Sequence, residues 1–403
     1  MLNKSIFFNN FFFKSKKFYQ NLKKTKKIFN SFQLDLKNFE IPLLKCYEKD
    51  YAFDFSPATV KKFSKYKNIV VIGMGGSILG TKSIYSFFKT KVKKKVFFFD
   101  NLDENLHLQF SKIKILKNSC FIIVSKSGNT LETIANLSIV LSKSLSKNKL
   151  IFITEMKDSI LNDMAVKFNA EVIEHKNFIG GRYSVMSEVG MFPAALMGLD
   201  IKKFRNLEKL IHDKNFVTSL TQNVAGIYTL NKQGIKNSVI LNYNSNLNDL
   251  GRWYQQLVSE SLGKKGKGVT STLSMAPKDH HSILQLYLDG PKDKFFTFFS
   301  SLNEGGKYKI PGTIIPNSMK FLKNRRLRYI INAQCNAAKN IFRLKKIPFR
   351  HLFFNKNNEE ELGMIFTFFV LETILLARLM NINPFDQPAV EQVKIETKKI
   401  LLR

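Results

Sequence analysis

The stretch that most constrains this chain is Cys120-Phe-Ile-Ile-Val-Ser-Lys-Ser-Gly-Asn-Thr-Leu-Glu-Thr133. Phe121 to Val124 form an apolar run bounded by turn residues, which predicts a buried strand. Ile134, Leu137 and Leu141 then recur at helical spacing. Between strand and helix lie Ser125, Lys126, Ser127, Gly128, Asn129 and Thr130. A hydroxyl-rich loop at a helix N-terminus suits a phosphate. Free backbone N–H groups and the positive end of the helix dipole face the anion, and Ser and Thr hydroxyls add short hydrogen bonds. Lys126 adds a formal charge, and Gly128 lets the backbone approach closely. The competing reading is a polar turn in which Thr130 only caps the helix. The crowding of donors into so short a loop favours the phosphate.

Apolar runs at Ile69 to Ile72, Val96 to Phe99, Phe121 to Val124, Leu150 to Ile153 and Glu171 to Ile173 mostly alternate with helical stretches. That order predicts a parallel, doubly wound sheet. The first turn, Gly73-Met-Gly-Gly-Ser77-Ile-Leu-Gly80, invites a dinucleotide reading, with Asp100 at the end of the next strand. However, the third glycine of that fingerprint falls on Ile78, at the helix-packing position. We therefore read two phosphate-side loops at a switch point, with Gly75 and Gly76 bringing backbone N–H groups and Ser77 towards the pocket that residues 125–130 face.

The second half repeats the pattern more loosely. Val239 to Tyr243, Phe295 to Phe299 and Phe349 to Phe354 read as strands, and a helix runs through Leu250, Trp253, Leu257 and Leu262. The longest apolar helix, Met364 to Met380, carries Glu372 and Arg378 and falls short of the ~20 clean residues of a membrane span, so a core helix is expected. With 403 residues, the expected architecture is α/β, two doubly wound parallel-sheet domains with the site between them. The expected division is a basic N-terminal segment of unassigned role over 1–40, then domains over 41–215 and 216–403. The run from Phe7 to Phe13 is too short and too polar for a signal-peptide core, so an ordinary helical segment is expected there.

The net charge of +33 raises the question of nucleic acid. Nearly all of the excess is Lys, spread through every segment, whereas base and bidentate phosphate recognition favours Arg. No nucleic-acid or membrane partner is expected, although a positive field would draw in an anionic metabolite. Three widely separated cysteines, Cys46, Cys120 and Cys335, point to a reducing, cytoplasmic setting without disulfides. The six histidines show no metal-ligand spacing, so no metal site is expected.

Four further places carry possible chemistry. Gly180-Gly-Arg182-Tyr-Ser184 sets a guanidinium beside two glycines, suited to a developing oxyanion, although by itself it reads as a surface Arg after a turn. Gln256 and Glu260 share a helix face at i,i+4, where a carboxylate could be a general base or simply a solvated side chain. His280 and His281 are adjacent and so point apart, which leaves at most one of them for a pocket. Finally, Asn383-Pro-Phe-Asp-Gln387 turns into a last helix that carries Lys394, two turns from Gln387.

Taken in order, these motifs resemble the glucose-6-phosphate isomerase family from about residue 65 to the C-terminus, in its shorter bacterial-type branch. The contexts of Glu260, His281 and Lys394 are the specific part; the Ser-x-Ser-Gly-x-Thr loop is a general sugar-isomerase signal. The resemblance implies aldose–ketose isomerisation of glucose 6-phosphate and fructose 6-phosphate through a cis-enediolate, with no cofactor. It implies that Gly76, Ser77, Ser125, Lys126, Ser127 and Thr130 cradle the phosphate and that Gln256 and Gln387 contact the substrate. Glu260 would shuttle the proton, Arg182 would stabilise the enediolate, and His281 and Lys394 would open the sugar ring. It further implies a homodimer with shared sites, His281 reaching the neighbouring subunit. Two other readings stay open: an isomerase that also accepts mannose 6-phosphate, and a non-catalytic sugar-phosphate-binding regulator.

Overall fold

The computed structural model of the chain describes residues 6–9, 15–112, 118–143, 149–301 and 308–403. Among the described residues there are ten strands: β1 (Ile6–Asn9), β2 (Asn68–Gly73), β3 (Lys95–Phe99), β4 (Ser119–Val124), β5 (Leu150–Thr154), β6 (Glu171–Glu174), β7 (Asn237–Asn242), β8 (Thr270–Met275), β9 (Lys294–Ser301) and β10 (Phe349–Phe354). They form two sheets, ordered β3-β2-β4-β5-β6 and β1-β10-β9-β7-β8. The first is wholly parallel. The second is parallel except for β1, which runs antiparallel along β10. The expected architecture of two parallel α/β sheets is what the chain adopts.

The inner strands β2, β4, β5, β7 and β9 read as largely apolar runs because both faces of each sheet are covered. Side chains alternate across a strand, so successive residues enter different cores. Val70 and Ile72 of β2, with Phe121 and Ile123 of β4, pack outward under Leu137 and Leu161. Ile69, Val71, Ile122 and Val124 point the other way into a central cluster. The second sheet mirrors this: Val239, Leu241, Phe296 and Phe298 pack outward on Phe342, whereas Ile240, Phe295 and Phe299 enter the same central cluster. Helices therefore lie outside each sheet and between the two, and one middle core serves both halves. Each fully buried aliphatic or aromatic side chain there contributes ~1.5–3 kcal/mol.

The helix Lys16–Lys37 joins that middle layer, with Phe29 and Phe32 buried in the shared core against helices of the second half. Of the Phe7 to Phe13 run, only residues 7–9 are among those described, and they lie in β1, where a helical segment was expected. β8 was not anticipated. Its sequence, Thr-Ser-Thr-Leu-Ser-Met, is mostly polar because it is an edge strand with alternate residues in solvent. The apolar helix begins earlier than expected, at Glu359, and its 22 residues are long and apolar enough to cross a membrane by length and composition. Yet Leu362 to Ala377 are buried inside the protein.

That helix carries one fully buried charge, Glu372, which Arg350 of β10 meets with both terminal nitrogens. Arg350 Nε also donates to Thr297 Oγ1 at 2.9 Å, Nη1 to Asn223 Oδ1 at 3.0 Å and Nη2 to the Tyr254 hydroxyl at 3.1 Å. Tyr254 donates in turn to Glu372 Oε1 at 3.3 Å. Both charges are thus paired and hydrogen-bonded, as burial at this depth requires. The network ties the helix Asn248–Leu262 to its neighbours.

Candidate active site

In the first sheet the chain runs from β2 to its neighbour β3 and then returns past β2 to β4, so the loops after β2 and β4 open side by side at the switch point. Gly73 and Val124, the last residues of the two strands, are paired in register. After β4, the Ser125 hydroxyl meets Thr130 Oγ1 at 2.8 Å and closes the loop on itself. Gly128 takes a positive φ of 70°, and a Cβ on it would fall 2.2 Å from Ser159 Oγ, so this position needs glycine. The Gly128 carbonyl accepts from Leu161 N at 3.1 Å, and Asn129 Oδ1 accepts from Ile160 N at 3.0 Å. These contacts pin the outer side of the loop to the next helix. Among the described residues, the backbone N–H groups of Lys126, Ser127 and Thr130 make no hydrogen bond, which leaves them available at the start of the helix Leu131–Lys143.

After β2, Gly75-Gly76-Ser77 form one tight turn. A Cβ on Gly75 would stand 2.8 Å from Gln256 Nε2, and one on Gly76 would stand 2.2 Å from the Gly181 carbonyl carbon. The Gly75–Ser77 turn therefore touches both the Arg182 turn (Gly181–Met186) and the Gln256–Glu260 helix (Asn248–Leu262).

Arg182 is only 2% exposed, which corrects its isolated reading as a surface residue. Nε donates to Ser261 Oγ at 2.8 Å, and Nη1 donates to Glu260 Oε2 at 3.3 Å and to Gln387 Oε1 at 2.6 Å. Nη2 donates to the carbonyls of Pro384 and Asp386. Gln256 Nε2 donates to Glu260 Oε1 at 2.9 Å. Both oxygens of Glu260 thus hold a donor, while the side chain stays about one-third exposed. Gln387 arrives on the turn after the apolar helix Glu359–Met380, fixed by Lys264, whose ammonium binds Asp386 Oδ1 at 2.6 Å. Tyr183 adds hydrogen bonds to Ser261 Oγ at 2.8 Å and to the Pro384 carbonyl at 3.0 Å. Ser261 and Tyr183 had no recognisable signal of their own; each lies beside a residue singled out above.

The structure thus brings together Gly76, Ser77, Arg182, Gln256, Glu260 and Gln387, next to the loop of Ser125, Lys126, Ser127 and Thr130. It does not bring in His281 or Lys394. His281 ends the short turn Lys278–His281 and is exposed, without a hydrogen bond to this group. Its neighbour His280 is the packed one of the pair, with Nε2 2.6 Å from the Tyr243 hydroxyl. Lys394 lies on the helix Val390–Leu401, which has no buried residue, and it pairs with Glu391 at 2.6 Å. Among the described residues, no three His, Cys, Asp or Glu side chains gather as a metal-ligand set.

A two-sheet α/β protein with two glycine- and hydroxyl-rich loops at its switch point, beside a carboxylate and a guanidinium, has the build of the sugar-phosphate isomerases. Solved structures share its architecture. A hypothetical protein from Thermus thermophilus superposes with a TM-score of 0.83 at 22% identity, covering 98% of this chain and 99% of that one. A glucose-6-phosphate isomerase from Chlamydia trachomatis superposes with a TM-score of 0.69 at 20% identity, covering 84% and 70%. The chain belongs to the phosphoglucose isomerase family, whose model matches residues 52–317. The glucose-6-phosphate isomerase of Methanocaldococcus jannaschii is 34% identical over 356 residues, 86% of this chain and 87% of that protein.

Proposed function

We propose that this protein interconverts glucose 6-phosphate and fructose 6-phosphate by proton transfer through a cis-enediolate. The observation that carries the reading is Glu260, held between Gln256 and Arg182 at the foot of the Gly75–Ser77 turn. In the open-chain sugar, the Glu260 carboxylate takes the proton from C2 as negative charge grows on the C1 oxygen, the C2 hydroxyl proton passes to that oxygen, and Glu260 then returns its proton to C1 as the C2 carbonyl forms. Protonation removes the negative charge that Arg182 Nη1 faces, so the guanidinium becomes free to favour the enediolate oxygen. Charge leaves the carboxylate as it appears on the substrate, beside one fixed cation. Ser77, Ser125, Ser127 and Thr130 anchor the phosphate by hydroxyl and backbone donors, with Lys126 supplying charge, and Gln387 orients the sugar.

Ring opening falls to His281 and Lys394. His281 is exposed and makes no hydrogen bond to the Glu260 group of its own chain, which supports a homodimer in which each site takes His281 from the other copy. The three cysteines, free and buried, support a reducing, cytoplasmic setting. The decisive test is a coupled assay of purified protein on glucose 6-phosphate and mannose 6-phosphate, with EDTA present. Turnover of glucose 6-phosphate that survives EDTA is expected. Its absence from folded protein would overturn the reading.

A further inference from the structure

Directly after β5, beside the loop of residues 125–130, sits a nearly buried carboxylate, Glu155, 9% exposed. Its backbone N–H donates to the Lys126 carbonyl at 3.2 Å, so it is bound to the loop itself. Its Oε1 lies 3.6 Å from Lys126 Nζ, and its Oε2 pairs with Lys157. The Lys126 ammonium donates to the Asn177 carbonyl at 2.7 Å and so is held on the Glu155 side of the loop. A carboxylate beside a phosphate cradle opposes the incoming anion twice: it repels the dianion and neutralises the cation meant to meet it.

From this geometry we infer that Glu155 sets how weakly the loop holds a phosphate ester, by competing with the ligand for the Lys126 ammonium. The inference rests on the reading of residues 125–130 as the phosphate cradle. Binding then exchanges one anion for another at Lys126: the phosphate takes over the ammonium, and Glu155 retains Lys157. Glu155 does not touch the substrate; it is a positioning residue acting through Lys126. Such a residue keeps the product from being held too long, because interactions made equally with substrate and product do not speed the chemical step.

The test is Glu155→Gln, measured by titration calorimetry with inorganic phosphate and by steady-state kinetics. The expected result is phosphate binding tighter by about threefold to tenfold and a KM lowered in parallel, with kcat no higher. A purely structural role would only lose affinity. Glu155→Asp, which keeps the charge but withdraws it from Lys126, should fall between wild type and Glu155→Gln. The gain should vanish in a Lys126→Met background. Equal or weaker phosphate binding by folded Glu155→Gln protein, or the same gain without Lys126, would overturn the inference. Failure of the underlying reading looks different: Thr130→Val and Lys126→Met would both leave phosphate binding unchanged, whatever Glu155 does.

Discussion

Gly76 stands so close to Gly181 that a Cβ on it would fall 2.2 Å from the Gly181 carbonyl carbon, whereas a Cβ on Gly181 meets nothing nearer than Gly76 Cα, at 3.9 Å. The contact is between two backbones, and only one partner has room for a side chain. Gly76→Ala must push apart the Ser77 and Arg182 turns, at a cost of ~1–3 kcal/mol in stability and at least ~10-fold in kcat/KM. Gly181→Ala should stay within ~0.5 kcal/mol of wild type. Urea unfolding and kinetics of the two variants side by side check this; equal losses would show that the clash does not fix the turn.

Glu260→Gln keeps the size of the side chain and removes the base. Turnover should drop at least ~100-fold, with phosphate binding largely kept. The direct measurement is exchange of the substrate's C2 proton with solvent. A normal exchange rate would remove Glu260 from the role.

A shared site has an arithmetic signature. Glu260→Gln and His281→Ala chains, each inactive alone, give mixed dimers with one doubly defective site and one intact site. Refolding an equal mixture makes about half the dimers mixed, so about a quarter of wild-type activity should return. Mixed dimers confirmed by mass photometry that stay inactive would place His281 in its own chain's site.

Arg350 and Glu372 are both fully buried, so removing one charge leaves the other without compensation. Glu372→Gln should cost ~3–5 kcal/mol, and Arg350→Met/Glu372→Leu together should cost less than either change alone. Because Tyr254 is in the network and shares a helix with Glu260, the single variant should also lower kcat. Denaturant melts of Glu372→Gln, Arg350→Met, Glu372→Leu and the double variant, with kinetics of Glu372→Gln, test both statements.

Acid should act through two buried histidines. Burial, then Lys339 and Arg343, push His351 down to about 3, and burial, with Lys126 adding, pushes His175 down to about 4. Unfolded, both titrate near ~6.5, so below that pH the unfolded chain binds more protons than the folded one. Their contribution to stability is full above about pH 6.5 and is lost as the pH falls through about 4 and about 3. His351→Asn should be less stable at neutral pH yet lose stability less steeply between about pH 6 and 4, read from urea melts across that range.

Local patterns alone carried much of the architecture. The apolar runs behind β2, β4, β5, β7, β9 and β10 are long and β-branched or aromatic, because strands covered on both faces have no polar side to confuse the period. The two loops at the switch point were legible for a related reason: glycines and hydroxyls in a strand-to-helix turn have few other uses. β8 escaped notice because an edge strand leaves residues such as Thr270 and Thr272 in solvent, and its buried residues include two serines, Ser271 and Ser274. Arg182 was the other limit. Nothing adjacent to it distinguishes a surface guanidinium from one whose donors reach Ser261, Glu260 and Gln387, up to 205 residues away.

The sequence on its own determined the alternation of strands and helices, the glycine- and hydroxyl-rich turns after β2 and β4, and the i,i+4 pairing of Gln256 with Glu260, since each depends on neighbours within a few turns of chain. Only the tertiary structure decided that one core serves both sheets, that Gly76 has no room for a methyl group, and that Glu155 stands against Lys126. These are relations between groups distant along the chain. Their energies depend on distance and burial in space, which no local spacing of residues specifies.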